Sequence, residues 1–296
     1  MPKRLPAETY IEGILAGDRL LLSRAITLTE SRLPSDAELA AAVLQAVLPR
    51  TGNSLRVGIT GVPGVGKSTF IEAFGSYLVD RGHPLAVLAV DPTSQRSGGS
   101  ILGDKTRMEK LSLHPLAYVR PSPTGRSLGG VTASTRQAIL LCEAAGFGLV
   151  LVETVGVGQS ETAVRGMTDF FLLLMLAGAG DELQGIKRGI MEMADAILIT
   201  KADGDNAAAT RRAQADYRNA LHLFPPAPSG WTPAVLPCSA VTGQGLPETW
   251  DLLERYRQLT TQNGYFFRNR QAQNRGWMHD TIRQALEDSF YANPGI

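Results

Sequence analysis

Short apolar runs recur along the central part of the chain, and a polar residue or a glycine follows most of them. Stretches long enough for helices separate most of these runs. Near-continuous apolar strands that alternate with helices indicate a parallel sheet with helices on both faces. We therefore predict an α/β fold with a mostly parallel sheet, whose carboxyl edge would bind the ligand. The runs lie at residues 55–60, 85–90, 149–152, 171–176, 196–200 and 234–237.

Both ends of the chain show helical spacing instead. Apolar residues recur every three or four positions within residues 7–50, where Pro34 interrupts the pattern and Ser35 is expected to cap the next helix. The chain becomes helical again after residue 245, and a last helix is predicted over 271–291. The pattern predicts a helical N-terminal extension, an α/β domain and a C-terminal helical segment, at residues 1–52, 53–258 and 259–296.

Composition narrows the class of protein. Apolar residues make up 44% of the chain and charged residues 19%, which is ordinary for a globular protein with a large core. A net charge of +1 argues against a general binder of nucleic acid or of anionic membranes. Cys142 and Cys238 are far apart and fit a reducing compartment. The N-terminus lacks an apolar signal core and the apolar run 170–177 is too short to span a bilayer, so we expect a soluble cytoplasmic protein.

A glycine-rich segment between the first strand and a predicted helix fits the phosphate-loop pattern G-x-x-x-x-G-K-[ST]. Its glycines let successive main-chain N–H groups point at phosphate oxygens, and the helix that follows adds its dipole. Lys67 would neutralise the β- and γ-phosphates as a catalytic residue, and the Ser68 hydroxyl would bind Mg²⁺. The predicted nucleotide-binding residues here are Gly61, Val62, Pro63, Gly64, Val65, Gly66, Lys67, Ser68 and Thr69.

Acidic residues follow the apolar runs that would lie beside this loop. Asp91 and Glu153 each come at the end of a run, and Mg²⁺ prefers such oxygen ligands. We favour metal-binding roles for both over simple turn-forming roles. Asp104 lies in a glycine-rich stretch, and either role remains open for it from the residues alone. The Gly156 N–H, close after Glu153, is expected to sense the γ-phosphate.

The last two apolar runs end in segments that resemble guanine-recognition loops. Thr200, Lys201 and Asp203 correspond to the N-K-x-D motif, with threonine in place of asparagine. A carboxylate at Asp203 would accept two hydrogen bonds from guanine, whereas adenine has no such donor pair. The stem of Lys201 would pack across the base. The alternative is an ordinary turn at the start of a helix. The second loop, whose main chain would contact the guanine, consists of Ser239, Ala240 and Val241.

Four longer motifs, together with the phosphate loop, resemble the MeaB/ArgK family of GTPases, within the class that includes the signal-recognition-particle GTPases. The resemblance covers the chain from about residue 10 to about residue 290. It implies a P-loop GTPase fold with Mg²⁺ held by Ser68, Asp91, Asp104 and Glu153, and a third switch at 178–188. The motifs are AVDPTS (89–94), GGSILGDKTRM (98–108), ETVGVGQSE (153–161) and GDELQGIK (180–187).

The resemblance also implies a role beyond hydrolysis. Family members look like GTP-dependent chaperones of adenosylcobalamin-dependent methylmalonyl-CoA mutase that gate cofactor loading and protect or reactivate the mutase. They are typically homodimers formed through C-terminal helices, and they usually continue beyond the last residue here. In the third switch, Gln184 and Lys187 are three positions apart and share a helix face. Lys187 would stabilise transition-state charge and Gln184 would orient water; the alternative is a solvated helix turn.

Other functions compete with this interpretation. One is an ATPase or kinase linked to transport of basic amino acids, against which Asp203 argues. A metal-delivery GTPase usually carries Cys/His clusters, which this sequence lacks. A switch protein with negligible turnover is the last alternative.

The C-terminal region is rich in arginine, and we expect a solvated helix face there; docking of a partner through Phe266, Phe267 and Trp277 is the alternative. The arginines are Arg255, Arg257, Arg268, Arg270 and Arg275.

Overall fold

A parallel sheet forms the centre of the molecule. The computed structural model describes residues 4–31, 33–90, 108–121, 128–154, 160–178 and 188–291. Within these ranges the sheet has seven strands in the order β3-β2-β4-β1-β5-β6-β7, and every pair is parallel. The α/β prediction is confirmed. The strands are β1 (Leu55–Gly61), β2 (Leu85–Val90), β3 (Ala117–Arg120), β4 (Leu149–Thr154), β5 (Phe170–Leu176), β6 (Ala196–Thr200) and β7 (Ala234–Pro237).

The apolar pattern missed β3. This strand has four residues and lies at the edge of the sheet, where only β2 pairs with it. Its Tyr118 and Arg120 side chains bond to an N-terminal helix: Tyr118 Oη lies 3.1 Å from Ser23 Oγ, and Arg120 pairs with Glu30. A short edge strand with polar side chains gives no continuous apolar run, and tertiary contacts rather than its own sequence make it a strand.

Helices cover both faces of the sheet. The helix Pro34–Val47 begins at its proline, and Leu33 is the N-cap residue. The predicted cap at Ser35 was therefore wrong. Proline fits the first helical position because the N–H it lacks would have no partner there. The helices are α1 (Ala7–Leu15), α2 (Arg19–Thr29), α3 (Pro34–Val47), α4 (Lys67–Val79), α5 (Glu109–Leu113), α6 (Leu128–Ala144), α7 (Ser160–Arg165), α8 (Arg188–Met193), α9 (Ala207–Leu221), α10 (Leu246–Gln262) and α11 (Tyr265–Tyr291).

The last helix begins at Tyr265 rather than near residue 271. Gly264, at φ +73°, breaks the chain between α10 and α11, and the Asn263 side chain accepts the Tyr265 N–H at 2.9 Å. Residue 258, the predicted end of the central domain, lies inside α10, and the division into domains stays a prediction. None of the helices in the described ranges combines the length and apolarity that a membrane span requires.

The hydrophobic core lies on both faces of the sheet, because successive side chains along each strand point to opposite faces. On one face, Leu55, Val57 and Ile59 of β1 pack with α4, α5 and α10. On the other face, α1, α2, α3, α6 and α7 pack over β2 and β4, and α8 and α9 pack over β5, β6 and β7. Both faces are therefore apolar, which explains why these strands are continuous apolar runs.

Strand β1 is the point where the sheet order reverses. It lies between β4 and β5, and the chain builds β2, β3 and β4 on one side before β5, β6 and β7 on the other. A crevice opens at the carboxyl ends of the strands at such a point. The loop after β1 lies at this position.

A buried ionic network at the opposite edge of the sheet anchors α11. Arg270 is 8% exposed, and its guanidinium donates to both Asp169 carboxylate oxygens, at 2.8 and 2.6 Å, and to the carbonyls of Gly52 and Ser54. It also lies 4.4 Å from the centre of the Phe266 ring. The expectation of a solvated face is wrong for Arg270, because sequence alone could not show that Asp169 faces it.

Glu143 extends this network to β1. Arg56 donates to both of its oxygens, at 2.8 and 2.9 Å, and the Gly52 N–H and the Ser54 hydroxyl donate as well. Burial alone would raise the pKa of Glu143, but the hydrogen bonds and charge of Arg56 hold it below its usual value. The network joins α6, α11 and the start of β1.

Candidate functional site

The loop after β1 is shaped to bind an anion. Gly61 leaves the strand at φ +156°, where an added Cβ would lie 2.6 Å from the Leu174 carbonyl oxygen, so only glycine fits. Gly66 stands at the N-cap of α4 at φ +96°, and no side chain caps the helix. The first N–H groups of any helix have no intrahelical acceptor, and at the start of α4 no capping side chain takes its place. These groups are therefore available to a ligand at the positive end of the helix dipole.

Lys67 is the cation of this loop. Its Nζ donates to the Gly61 carbonyl at 2.8 Å and to the Val62 carbonyl at 3.3 Å, so the ammonium lies against the loop. Burial lowers the pKa of Lys67 below its usual value, although the negative charges of Glu153 and Glu161 oppose that shift. The ammonium thus sits where phosphate oxygens would meet the main-chain N–H groups.

Ser68 and Glu153 meet beside the lysine. The Ser68 hydroxyl donates to Glu153 Oε1 at 3.2 Å, and Glu153 is 5% exposed near the end of β4. A hydroxyl oxygen and a carboxylate oxygen are the kind of ligand that Mg²⁺ prefers, and these two are close enough to bind one ion. Water or phosphate oxygens would complete its coordination. In the described part of the chain, no group of three or more His, Cys, Asp or Glu side chains forms a metal site.

Several predicted residues lie outside the described ranges. They are Asp91 and Asp104, predicted to bind the metal, Gly156, predicted to sense the γ-phosphate, and Gln184 and Lys187 of the predicted third switch. Their roles stay predictions.

The end of β6 contacts the phosphate loop. Thr200 Oγ1 donates to the Val65 carbonyl at 2.7 Å, and Lys201 Nζ donates to the Gly64 carbonyl at 3.0 Å. Lys201 adopts φ +55°, a left-handed conformation that costs a residue with a Cβ about 1–3 kcal/mol. These contacts place the segment that resembles a base-recognition motif directly against the segment that resembles a phosphate loop.

The predicted base-binding residues form a turn beside this contact. Asp203 is half-buried before the short 3-10 turn Gly204–Asn206, and its carboxylate accepts none of the N–H groups that a capping residue would. The Ala202 N–H donates to the Cys238 carbonyl at 3.1 Å, which joins the ends of β6 and β7. Asp203 thus stands in a turn at the start of a helix, as the alternative interpretation expects, but its carboxylate makes no capping hydrogen bond there, and its base-binding role stays a prediction.

The second loop is held by its own hydrogen bonds. The buried Ser239 donates its N–H to the Gln244 carbonyl at 2.9 Å, and its Oγ accepts the Thr242 N–H at 3.2 Å. Ala240 is half-buried, and Val241 projects outward with 82% of its surface exposed. A base that contacts this loop would therefore meet the main chain near Ala240 and the side chain of Val241.

Sequence reasoning missed one residue of this site. Glu161 is 1% exposed at the start of α7, and its charge acts on Lys67. It stands in a motif that the sequence shares with a GTPase family, but an acidic residue in the first turn of a helix looks like an ordinary dipole partner. Its burial distinguishes it from such a surface residue, and only the folded structure shows that burial.

A glycine-rich loop at the switch point of a parallel sheet, followed by lysine and serine at a helix start, defines a P-loop nucleoside triphosphatase. The sequence model of the family described as "Methylmalonyl Co-A mutase-associated GTPase MeaB" matches residues 22–295. The chain belongs to this family, and it is a GTP-hydrolysing enzyme.

Individual relatives agree with this assignment. A putative GTPase of Caulobacter vibrioides is 56% identical over 99% of this chain and 89% of its own length. A mitochondrial protein of Mus musculus named methylmalonic aciduria type A homolog is 49% identical, over 96% of this chain and 71% of its own length.

Solved structures share the fold. A crystal structure of an LAO/AO transport system kinase superposes with a TM-score of 0.84 at 38% identity, covering 100% of this chain and 89% of that one. HypB from Helicobacter pylori, solved with nickel, has a TM-score of 0.52 at 17% identity, covering 74% of this chain and 93% of that one. The likeness to HypB concerns the fold alone.

Proposed function

We propose that this GTPase binds Mg²⁺-GTP at residues 61–69, recognises guanine through Asp203, and serves as a chaperone for an adenosylcobalamin-dependent acyl-CoA mutase. The mutase that it serves would be methylmalonyl-CoA mutase or a close relative. The observation that supports the nucleotide site best is the convergence of Lys67, Ser68 and Glu153 at the start of α4.

Phosphate hydrolysis would be promoted by positively charged and N–H groups that the fold already holds at the phosphate site. Main-chain N–H groups at the start of α4 and the Lys67 ammonium would stabilise the negative charge that develops on the phosphates. Ser68 and Glu153 would hold the metal, with Asp91 and Asp104 completing its set, and a bound Mg²⁺ would neutralise phosphate charge. Because Thr200 and Lys201 bond to the same loop, the base site and the phosphate site are held at a fixed spacing.

Guanine is favoured over adenine by the acceptor at Asp203. Its carboxylate is half-buried and unused by the adjacent turn, so it is available for the two donors of the guanine edge. An adenine would leave that acceptor unpaired, at a cost of about 1–3 kcal/mol for a group shielded from water. This argues against an ATP-dependent transport kinase.

The mutase role rests on the family and on the names of relatives. The family description refers to methylmalonyl-CoA mutase, and the mouse relative is named for methylmalonic aciduria. Gating of cofactor loading and protection or reactivation of the mutase are the activities we infer. We also infer that the protein works in a reducing compartment such as the cytoplasm, since its two cysteines are buried thiols.

A mixing experiment tests the mutase role. We expect GTP turnover to rise when adenosylcobalamin-dependent methylmalonyl-CoA mutase is added, and the two proteins to co-purify in the presence of a GTP analogue. Lys67→Ala is the matched control. The amount of this variant that co-purifies with the mutase should be the same with and without the GTP analogue. Unchanged turnover together with no complex would refute the mutase role while leaving the GTPase assignment intact.

We further propose a homodimer through α11. Four apolar side chains recur at four-residue spacing on its outer half, and each is at least half exposed: Met278, Ile282, Leu286 and Phe290. Such a stripe on a helix fits burial against a second copy. Light scattering should give twice the chain mass, and Ile282→Glu with Leu286→Glu should give the single mass. A single mass for the unmodified protein would contradict this.

A further inference from the structure

Two buried threonines bond to each other where β1 and β4 stop pairing. The main-chain pairing of these strands ends at Ile59 and Glu153, after which β1 continues beside β5 and β4 continues beside β2. The Thr154 hydroxyl donates to Thr60 Oγ1 at 2.9 Å, and each side chain is at most 1% exposed. A side-chain bond thus joins the strands one residue beyond their last main-chain pair, at the crevice where the sheet order reverses.

The hydroxyl groups at these positions interrupt an apolar face. Val150 and Val152 precede Thr154 on the same face of β4, and both are buried in the core that includes α6 and α7. Valine has nearly the shape of threonine and would fill the same space without a polar group to satisfy. A buried hydroxyl costs free energy unless it is hydrogen-bonded. The bond between the two threonines offsets that cost and fixes the distance between the two strand ends.

The residue before Thr154 projects to the opposite face of the sheet. Glu153 follows Leu149 and Leu151 in the alternation along β4, and those leucines pack in the core on the side of α4. Glu153 Oε1 accepts the hydroxyl of Ser68 in α4 at 3.2 Å. The main chain that Thr154 ties to β1 is therefore the main chain from which a proposed metal ligand extends. A shift of this strand end would move Glu153 relative to Ser68.

We propose that Thr60 and Thr154 are positioning residues for the metal, which hold the end of β4 against β1 so that Glu153 and Ser68 stay close enough to bind one ion. Mg²⁺ demands near-ideal octahedral geometry, so a small displacement of one ligand weakens its binding. The side chain of Thr154 lies on the face opposite Glu153, so the pair acts through the strand and not by contact with the ion. This inference rests on the proposed nucleotide site.

The variant Thr154→Val tests it, because valine keeps the shape and removes the hydroxyl. Titration calorimetry measures the affinity for a non-hydrolysable GTP analogue at increasing Mg²⁺ concentrations and in EDTA. We expect the Mg²⁺ concentration that gives half of the metal's effect to rise at least about fivefold, while the affinity in EDTA changes less than about twofold. A purely structural role would lower the free energy of unfolding and leave the Mg²⁺ requirement of the folded protein unchanged, which would overturn the proposal.

Variants of the partner threonine test the bond itself. Thr60→Val removes the other hydroxyl and should raise the Mg²⁺ requirement in the same way; it also takes the place of Thr154→Val if that variant does not fold. The double variant should need no more Mg²⁺ than the more demanding single variant, because both substitutions break one bond. If the two increases multiply, the threonines act independently and the proposal is wrong. Thr154→Ser keeps a hydroxyl and should keep the requirement of the unmodified protein.

Thr260→Val is the matched control. Its buried hydroxyl donates to the Tyr256 carbonyl at 2.7 Å in α10, and Tyr256 itself contacts Asp169 at the opposite edge of the sheet from the phosphate loop. Its loss should leave the Mg²⁺ requirement unaltered, and an increase as large as in Thr154→Val would contradict the proposal. Absence of any Mg²⁺ effect in the unmodified protein would instead refute the proposed metal site itself, and this inference with it.

Discussion

Thr200 stands where the N-K-x-D pattern has asparagine. Its hydroxyl donates to the Val65 carbonyl at 2.7 Å, and the side chain is buried. A short hydroxyl side chain is sufficient here because the end of β6 approaches the phosphate loop closely. The residue type at this position therefore matters less than the hydrogen bond that it makes.

Asp203 carries the first prediction. Asp203→Asn replaces an acceptor by an amide that donates, so the protein should lose GTP affinity by at least about tenfold and prefer xanthine nucleotides, which present a carbonyl instead of the amine. Competition between GTP and XTP measures the preference. Asp205→Asn, the same change on an exposed neighbour, should leave it unaltered. Retention of full GTP affinity by the Asp203 variant would end the base-recognition argument.

Asp195 is a buried acid away from the loop. Its carboxylate accepts the Phe171 N–H at 2.8 Å and lies 3.2 Å from Arg165. Burial raises the pKa of Asp195 to about 6, and neither Arg165 nor the N–H bond compensates fully. The folded protein thus binds a proton here at pH values where the unfolded chain does not.

This shift predicts a pH dependence. Between pH 4 and pH 6 the folded state holds more protons at Asp195 than the unfolded state, so its contribution to stability is present below about pH 4 and is lost as the pH rises through about 6. Relative to Asp195→Asn, the unmodified protein should lose up to about 3 kcal/mol across this window. Urea unfolding at several pH values measures the difference, and a constant difference would contradict the prediction.

At the scale of elements, α11 is joined to the sheet by a charged side chain. Arg270 reaches Asp169, Gly52 and Ser54, which lie at the amino ends of β1 and β5. The Tyr256 hydroxyl of α10 donates to the Asp169 carbonyl at 2.8 Å, so both C-terminal helices converge there. The outer half of α11 is largely exposed, and Arg136 of α6 contacts it through Asp280 at 3.4 Å and the Trp277 ring. We expect the buried Arg270 anchor to contribute more to the position of α11 than this surface contact does.

Removal of the anchor should destabilise the protein. Arg270→Ala leaves the Asp169 carboxylate buried without its cation, which typically costs about 3–5 kcal/mol. Arg268→Ala, an exposed arginine on the same helix, should cost less than about 1 kcal/mol. Chemical denaturation compares the two. Similar small losses in both variants would show that the buried pair does not hold α11.

At the scale of the molecule, nucleotide binding and folding are linked. The proposed nucleotide site joins β1, α4, β4, β6 and β7, so a nucleotide bound there would stabilise the folded state by mass action. At a GDP concentration about 100 times its Kd, the free energy of unfolding should rise by about 2.7 kcal/mol.

Lys67→Ala removes the charge partner of the phosphates and should lose tight binding and this gain together. Thermal unfolding with and without GDP and Mg²⁺ tests this. A variant stabilised as much as the unmodified protein would contradict the role of Lys67.

The parts of the fold found from sequence share a cause. The central strands are buried on both faces, so nearly every residue in them is apolar. Such a continuous apolar run can be recognised in the sequence without knowing which strands pair. β3 was missed because its strand character comes from pairing with β2 and from Tyr118 and Arg120 contacts to α2. Helix ends were displaced where a turn such as Asn263–Gly264 decides them.

The sequence by itself determined the phosphate loop and the strands around it, because glycines, lysine and serine at fixed spacing act within one continuous segment. The tertiary structure alone decided which charges are buried together. Glu153 faces Ser68, Arg270 faces Asp169, and Thr200 reaches Val65, each across a long separation in the chain. Such pairs depend on how strands and helices pack against each other. The pattern of residues within one segment does not show which distant side chain folding will place next to it.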